Sequence, residues 1–185
     1  TVISPPVGAP GFLLRNWCPD PSQSGLPLFD CHCYDAAAGI KLETRGSSFM
    51  TAAATRKLIN RYYTAFNAQD TSAMLDCLGA GFVHDVSQGE RRRGKKKFAD
   101  FLAHMHACYH EQLSDIVVMT SADGSRAAAE FKLKGKYLAT DEGLPPAAGQ
   151  TYKLTVGAFF EVRDGKIIRV STHYSLPDWT RQVIG

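Results

Sequence analysis

The spacing of apolar residues changes from a helical to a strand period at one place in this chain, near Gln112. From Thr51 to that point, apolar side chains recur about every 3.6 residues, as on one face of an amphipathic helix. The first such stripe consists of Leu58, Ile59, Tyr62, Tyr63 and Phe66. Beyond Gln112, apolar and polar residues alternate, which is typical of strands with one buried face. Helices followed by a run of antiparallel strands predict an α+β fold, with helices packed on one face of a curved sheet.

The order of the predicted elements follows from this pattern. We expect three helices, the third starting after Gly94, and a short strand over 82–86 that lies between the second and the third. The longest strand of the second half has one apolar face, formed by Tyr152, Leu154, Val156, Ala158, Phe160 and Val162. Residues 163–166, with Asp-Gly at the centre, predict a tight hairpin, and a short helix opens at Pro177. The concave side of such a sheet and the first helix can enclose a pocket for a small molecule.

Residues 1–49 differ in composition from the rest and predict an irregular arm ahead of a domain over 50–185. They hold six of the nine prolines and three of the five cysteines, and they show no sustained period. They are nevertheless too apolar for a solvated linker, so we expect the arm to pack on its own domain or on a partner. The chain begins at Thr1 rather than Met, which indicates processing and allows an organelle, a chloroplast or a mitochondrion, as its location.

The cysteines and histidines predict neither a disulfide framework nor a metal site. Five cysteines are an odd number, and their spacing is irregular. The segment Cys31-His32-Cys33 is not followed by a second ligand pair at the spacing of a structural zinc site. His106 and His110 stand four apart, but no third ligand is near them in the sequence. No glycine pattern predicts a phosphate loop, and we expect no cofactor.

The net charge of +3 conceals one concentrated group of cations, which we call the basic cluster. It consists of Arg91, Arg92, Arg93, Lys95, Lys96 and Lys97. These residues stand at or just before the start of the third helix, where the helix dipole disfavours positive charge, so we expect them to bind an anionic partner. Nucleic-acid binding is not expected, because it usually spreads cations over a whole face. No stretch approaches the roughly 18 uncharged residues of a spanning helix, so no transmembrane segment is predicted.

Several segments resemble a known family. Residues 61–70 (RYYTAFNAQD) resemble the first-helix signature of the ketosteroid isomerase and SnoaL-like proteins. The segments 109–131, 140–147 and 157–162 resemble the ketosteroid isomerase-related subfamily more closely still. The resemblance covers about residues 50–183 and implies the nuclear-transport-factor-two-like fold. That fold is a cone-shaped, curved antiparallel sheet with three N-terminal helices packed on its concave face. Because isomerases, cyclases, hydrolases and scaffolds share this fold, the resemblance implies the fold more specifically than the function.

The resemblance implies catalytic roles for Asp85 and Tyr62. In ketosteroid isomerases a carboxylate base moves a proton next to a carbonyl, and a tyrosine donates a hydrogen bond to the enolate oxygen. The helical spacing also places Tyr62 near the centre of the apolar stripe. The family's oxyanion acid falls on Ala158, which cannot donate a hydrogen bond, so this mechanism does not carry over unchanged. We expect the surrounding ligand-binding wall to be formed by Phe66, Ala158, Phe160, Thr172 and Tyr174.

The orientation of Asp85 is left open by its own strand. Residues 82–86 read Phe-Val-His-Asp-Val, with apolar groups on both faces. If Val83 and Asp85 face inward, the carboxyl loses its hydration and its pKa rises, which suits a general base. If Phe82 and His84 face inward, Asp85 is a surface residue. The resemblance favours the first arrangement.

Two functions stay open on the sequence alone, and with them the question whether the chain is an enzyme. The first is an isomerase-like domain that binds a small apolar carbonyl compound in its pocket. The second is a non-catalytic subunit of a larger protein assembly, docked through residues 1–49 and the basic cluster. A homodimer through the outer sheet face is a further expectation. Lys132, Lys134 and Lys136 argue against it, because a row of charges disfavours a dry interface.

Overall fold

The computed structural model describes residues 51–86 and 89–185. The predicted arm over 1–49, and its boundary at residue 50, lie outside the described residues. The elements are α1 (Ala52–Asn67), α2 (Thr71–Asp76), β1 (Leu78–Val86), β2 (Arg91–Arg93), α3 (Lys95–Cys108), β3 (Tyr109–Thr120), β4 (Arg126–Tyr137), β5 (Thr151–Arg163), β6 (Lys166–His173) and α4 (Leu176–Ile184). Helices followed by strands confirm the α+β prediction.

The first helix forms where the helical stripe predicts it. Thr51 caps α1, since its hydroxyl accepts a hydrogen bond from the Ala54 N–H at 3.1 Å. Ile59, Tyr62 and Tyr63 are buried on the face that packs against β3 and β4. This packing makes α1 one wall of the space between helices and sheet.

The six strands form one curved, unclosed sheet in the order β2-β1-β6-β5-β4-β3. The neighbours β3, β4, β5 and β6 pair antiparallel, as predicted. The pairing of β1 with β6 is parallel, so the sheet is mixed and the expectation of an all-antiparallel sheet is wrong. The cause is topological: four strands and a helix separate β1 from β6 in the chain, and so long a connection can return in either direction.

The alternation of apolar residues predicts the inner face of the sheet correctly. All six residues of the predicted face of β5 are buried, from Tyr152 to Val162. The hairpin between β5 and β6 also forms as predicted, with positive φ angles at Asp164 and Gly165 (50° and 71°). Bulges bend the sheet; the one in β3 lies between Ser114 and Val117, where Asp115 adopts a φ of 52°.

Part of the basic cluster belongs to the sheet. The strand β2 pairs antiparallel with β1 and sets Arg92 opposite His84. The sequence indicated only the helix that begins at Lys95, because three consecutive arginines have no apolar alternation. None of the helices in the described part of the chain is long and apolar enough to cross a membrane.

Candidate functional site

The helices and the inner face of the sheet surround a cavity of about 380 Å³. Its wall is mainly apolar and aromatic, with contributions from all four helices and all six strands. Four of the predicted site residues lie on this wall: Tyr62, Phe66, Thr172 and Tyr174. The sequence therefore predicted the existence of the cavity and the helix face that lines it.

Two predicted wall residues lie beneath the cavity surface instead. Ala158 and Phe160 are each only 1 % exposed, and neither lines the cavity. The Phe160 ring packs edge-on against Tyr62 and Tyr63, with ring centroids 6.1 and 6.0 Å apart. Their burial gives no support to the predicted contact with a ligand. Both residues belong to the core that supports the tyrosines, because the α1 rings cover the centre of β5.

Asp85 faces away from the cavity, which contradicts the orientation that the resemblance favoured. The Arg91 side chain donates two hydrogen bonds to its carboxylate, at 2.6 and 3.0 Å. Arg169 Nε donates a third at 2.6 Å. Hydrogen bonds from Arg91, and then those from Arg169, lower the pKa of Asp85 to about 2 against the opposing effect of burial. The position of Asp85 therefore gives no support to its predicted role as a base, since two guanidinium groups hold its carboxylate and it does not line the cavity.

His84 occupies the inward position that Asp85 was expected to hold. Its imidazole is 5 % exposed and lines the cavity, with the rings of Phe98 and Phe101 at 5.1 and 4.9 Å. Burial first, and the charge of Arg92 second, lower its pKa to about 4, while Asp85 acts in the opposite sense. The Nδ1 atom is buried and has no hydrogen-bond partner among the described residues. The ring is thus neutral near pH 7.

Arg92 stands beside His84 in the register of β1 and β2 and also lines the cavity. Its guanidinium carbon lies 4.7 Å from the centre of the Phe101 ring, a cation–π contact that holds the group in place. Its Nη1 atom is buried without a partner in the part of the chain that the structure describes. A base and a cation therefore lie next to each other on the cavity wall. The sequence offered no sign of this, because Arg92 is one of six clustered cations.

The two tyrosines of α1 face the same cavity. Tyr62 and Tyr63 are 6 % and 4 % exposed, and their rings meet edge-on at 5.5 Å. Burial raises the pKa of both phenols, so both are protonated donors. The Tyr63 hydroxyl finds no hydrogen-bond partner within residues 51–86 and 89–185. The donor predicted at Tyr62 therefore has a neighbour that the sequence had assigned only to the apolar stripe.

A second polar group on the wall comes from β3, α3 and the loop after β4. Tyr152 donates a 2.6 Å hydrogen bond to Glu111, and Tyr109 donates one of 2.8 Å to Asp141. Burial raises the pKa of Glu111, partly offset by the bond from Tyr152. Asp141 Oδ1 also lies 2.8 Å from His104 Nε2. Together with Cys108, these two residues bring three potential metal ligands within 4.8 Å of one another. Of these residues the sequence indicated only Tyr152, as part of the apolar face of a strand, and it assigned none of them to a site.

Most of the basic cluster has partners inside the chain. Arg91 is paired with Asp85, and Arg92 lies on the cavity wall. Lys95 donates to the Leu75 carbonyl oxygen at 2.9 Å, and Lys96 pairs with Asp100 at 3.0 Å. Arg93 and Lys97 are exposed. These contacts offset part of the repulsion among the cations at the start of α3.

Comparisons with known proteins place the chain among small cone-fold proteins. The model of the SnoaL-like domain matches residues 59–170. A putative polyketide cyclase from Pseudomonas putida is 57 % identical, with a TM-score of 0.69 over 72 % of this chain and 98 % of that one. Another, from Silicibacter sp., is 51 % identical, with a TM-score of 0.70 over 72 % and 98 %.

A more distant match extends the likeness in fold alone. An epoxide hydrolase-like structure from M. tuberculosis is 16 % identical, with a TM-score of 0.58 over 71 % of this chain and 86 % of that one. None of the curated proteins compared with the chain matches it.

Proposed function

Since the chain belongs to the SnoaL-like family, we propose that it binds a small apolar carbonyl compound in its cavity and moves a proton next to the carbonyl group. The proposal extends the family assignment to a ligand class and to named residues. The size and the apolar wall of the cavity support it, because about 380 Å³ lies in the range of small-molecule sites.

The observation that carries the proposal is that His84 and Arg92, two neighbouring residues of the cavity wall, each have a buried nitrogen (Nδ1 and Nη1) without a hydrogen-bond partner among the described residues. Burying a polar atom without a hydrogen bond costs about 1–3 kcal/mol. A bound molecule with a carbonyl oxygen recovers that cost for Arg92. A carbon next to that carbonyl then lies near the imidazole. The pocket is thus adapted to a polar group on an otherwise apolar ligand.

The proton transfer runs between His84 and the ligand. The neutral imidazole takes a proton from the carbon next to the carbonyl; the electron pair of that C–H bond forms the C=C bond of the enolate, and the π pair of the C=O bond moves onto oxygen. The Arg92 guanidinium and a tyrosine hydroxyl of α1 stabilise the resulting enolate, which replaces the missing acid at Ala158. A base with a pKa near 4 is adequate, because the carboxylate base of ketosteroid isomerases acts with a pKa of about 4.6.

The enolate has two outcomes, and the relatives favour one of them. Return of the proton to another carbon isomerises the ligand, whereas attack of the enolate carbon on a second carbonyl closes a ring. Two relatives about half identical to this chain are described as putative polyketide cyclases. We therefore propose a ligand with more than one carbonyl group, and aromatic wall residues such as Tyr62 and Phe101 suit a flat molecule.

Hydrogen–deuterium exchange of a simple ketone tests the proton transfer without the natural substrate. The probe is 2-tetralone in D₂O, whose α-protons are followed by NMR with and without the full-length protein. We expect the wild-type chain to accelerate exchange and His84→Gln to lose about 10²-fold or more of that acceleration. Asp85→Asn and His173→Gln should retain it, since both side chains lie away from the cavity wall.

The same experiment contains the results that contradict the proposal. Acceleration that survives His84→Gln but disappears in Asp85→Asn would return the base to the carboxylate. Exchange at the rate of buffer, although calorimetry shows 2-tetralone bound, would leave a binding protein without this chemistry. Circular dichroism of each variant separates loss of function from loss of fold.

The scaffold function receives less support from the structure. Arg91, Arg92, Lys95 and Lys96 of the basic cluster have contacts within the chain, which removes most of the reason to expect an external anion. Residues 1–49 lie outside the described residues. We therefore favour ligand binding in the cavity over docking to a larger protein assembly as the function of the chain.

A homodimer stays a prediction. On the outer sheet face Val117, Met119 and Phe159 are 59 %, 50 % and 54 % exposed, which favours pairing. Lys132 lies further along the same face and donates to Thr155, so one end of the face is apolar and the other is charged. Sedimentation velocity of wild type and Phe159→Lys tests it: a monomer at every wild-type concentration excludes this dimer.

A further inference from the structure

Three side chains from separate parts of the chain converge beside the cavity, apart from the His84–Arg92 pair. His104 and Cys108 lie one turn apart on α3, so their side chains point to the same side. Asp141 reaches them from the loop between β4 and β5. One nitrogen, one sulfur and one oxygen of these residues lie within 4.8 Å of one another. His104 and Asp141 also line the cavity.

The distances fit a zinc ion after small rotations of the side chains. With Zn–S bonds of about 2.3 Å and Zn–N and Zn–O bonds near 2.0 Å, tetrahedral ligands lie about 3.3–3.6 Å apart. The His104 Nε2 atom is 3.9 Å from Cys108 Sγ and 2.8 Å from Asp141 Oδ1. The first distance must shorten by a few tenths of an ångström and the second must lengthen by about half an ångström, while the distance between Cys108 Sγ and the Asp141 oxygen, which lies within 4.8 Å, must reach about 3.5 Å.

The backbone already holds the two segments together. The Cys108 carbonyl oxygen accepts hydrogen bonds from the N–H groups of Leu138 and Ala139, at 2.8 and 3.4 Å. The Asp141 N–H donates to the Tyr137 hydroxyl at 2.7 Å. Because these hydrogen bonds already fix the end of α3 and the loop between β4 and β5, little conformational entropy of the backbone is lost when an ion binds.

An outer partner orients the carboxylate as it does in known zinc sites. The Tyr109 hydroxyl donates a 2.8 Å hydrogen bond to Asp141 Oδ2, which leaves Oδ1 directed at His104. Such outer partners fix the geometry of a ligand and tune its basicity. A thiolate and a carboxylate together balance the two positive charges of the ion, so the complex carries no net charge next to the apolar wall.

From this arrangement the geometry points to a Zn²⁺ site formed by His104, Cys108 and Asp141, with its fourth coordination position open to the cavity. Three protein ligands with one open position are typical of zinc ions that bind water or a substrate oxygen. The site uses neither His84 nor Arg92, so it stands or falls independently of the proton transfer proposed above. It differs from the pair His106 and His110, in which His110 lies instead near Gln69.

Cobalt titration tests the site, because Co²⁺ replaces zinc in tetrahedral sites and is coloured. The full-length chain is used with Cys18, Cys31 and Cys33 replaced by serine, so that no cysteine outside the described residues contributes. We expect one Co²⁺ per chain, visible d–d bands of a tetrahedral site and a near-ultraviolet thiolate charge-transfer band. Added Zn²⁺ should displace the cobalt.

Variants distinguish ligands from neighbours. Cys108→Ser should abolish the charge-transfer band, and Asp141→Asn should weaken binding by more than about 100-fold. Tyr109→Phe should weaken it by only about 10- to 100-fold, as expected for an outer partner. Cys77→Ser is the matched control, since Cys77 is buried near Arg61, away from the three ligands. It should leave the spectrum unchanged.

Two results would overturn the site. The first is that the folded chain with only the three serine replacements binds no cobalt at micromolar concentration. The three residues would then be a hydrogen-bonded cluster and not a metal site. The second is a charge-transfer band that persists in Cys108→Ser and disappears in Cys77→Ser. Circular dichroism confirms the fold of each variant, and Asp141→Asn provides a readout if Cys108→Ser does not fold.

Discussion

Neighbouring residues in β1 lie in opposite environments, because a strand turns successive side chains to opposite faces. His84 lies between Phe98 and Phe101 and is neutral, while Asp85 lies between two arginines and is ionised. Exchanging their positions would bury a carboxylate in an apolar wall and cost several kcal/mol. The energetic difference between the two environments therefore determines which of the two residues faces the cavity.

The depressed pKa of His84 predicts a specific loss of stability in mild acid. Its folded pKa is about 4 against an ordinary value of 6.5, so between these values the unfolded chain binds a proton that the folded chain refuses. Stability therefore falls as the pH falls through this window. From pH 7 to pH 5 we expect His84 to account for a decrease of about 2 kcal/mol in the free energy of unfolding.

Urea denaturation of wild type and His84→Gln at both pH values measures this contribution. Between pH 7 and pH 5 the free energy of unfolding of the variant should decrease by ~2 kcal/mol less than that of wild type. His173→Gln serves as control because His173 is exposed, and it should decrease as much as wild type. If the free energy of unfolding decreases equally in wild type and His84→Gln, the imidazole of His84 is hydrated in the folded chain and the prediction is wrong.

At the scale of secondary structure, three adjacent strands cooperate at one row of residues. Glu111, Gly135 and Tyr152 stand opposite one another on β3, β4 and β5. The Tyr152 ring crosses the glycine, and its hydroxyl donates to Glu111 at 2.6 Å. A Cβ added at Gly135 would lie 2.1 Å from the Tyr152 ring. Gly135 is therefore required by the crossing aromatic ring, not by its own backbone.

Gly135→Ala should consequently destabilise the sheet. The methyl group displaces the Tyr152 ring and breaks its bond to Glu111, so we expect a loss of about 2–3 kcal/mol in urea denaturation. Gly157→Ala is the matched control on β5, since nothing lies within 4 Å of its added Cβ. In the double variant Gly135→Ala/Tyr152→Leu the two effects should be less than additive. Full additivity would show that the ring is not what excludes the side chain.

Much of the secondary structure could be predicted from the sequence, and the exceptions have physical causes. Periodicity records which side chains are buried, so α1 and the inner face of β5 were predicted correctly. Periodicity does not indicate which strands pair with each other. The parallel pairing of β1 with β6 depends on a return of the chain over more than sixty residues. The strand β2 has no alternation, because only Arg92 of its three arginines faces inward, and that residue is itself charged.

At the scale of the whole molecule, the site is assembled from residues that no local pattern connects. Tyr62 and Phe66 could be predicted because one helix presents both. The inward orientation of His84 was one of two alternatives, and only the packing of α3 against β1 decides between them. Glu111, Asp141 and His104 meet only because β3, the loop after β4 and α3 converge. A single sequence gives little indication that such residues are neighbours in space, since no local pattern distinguishes each of them from the residues around it.

The C-terminal helix closes the cavity and supplies a built-in reporter of its contents. Ser175 caps α4, and Trp179 is 4 % exposed while lining the cavity. Its ring meets those of Tyr137 and Tyr152 edge-on, at 5.2 and 5.8 Å. A ligand that enters the cavity therefore changes the environment of this indole.

Tryptophan fluorescence should thus follow ligand binding directly. In Trp17→Phe the emission arises from Trp179 alone, and we expect saturable quenching by 2-tetralone with the same dissociation constant that calorimetry gives. His84→Gln should still show quenching, because the imidazole acts on the proton while the apolar wall supplies most of the affinity. In Trp179→Phe, with Trp17 retained, the saturable signal should disappear. Quenching that persists there, or an unchanged Trp179 spectrum in a chain saturated by calorimetry, would place the ligand outside the space that α4 closes.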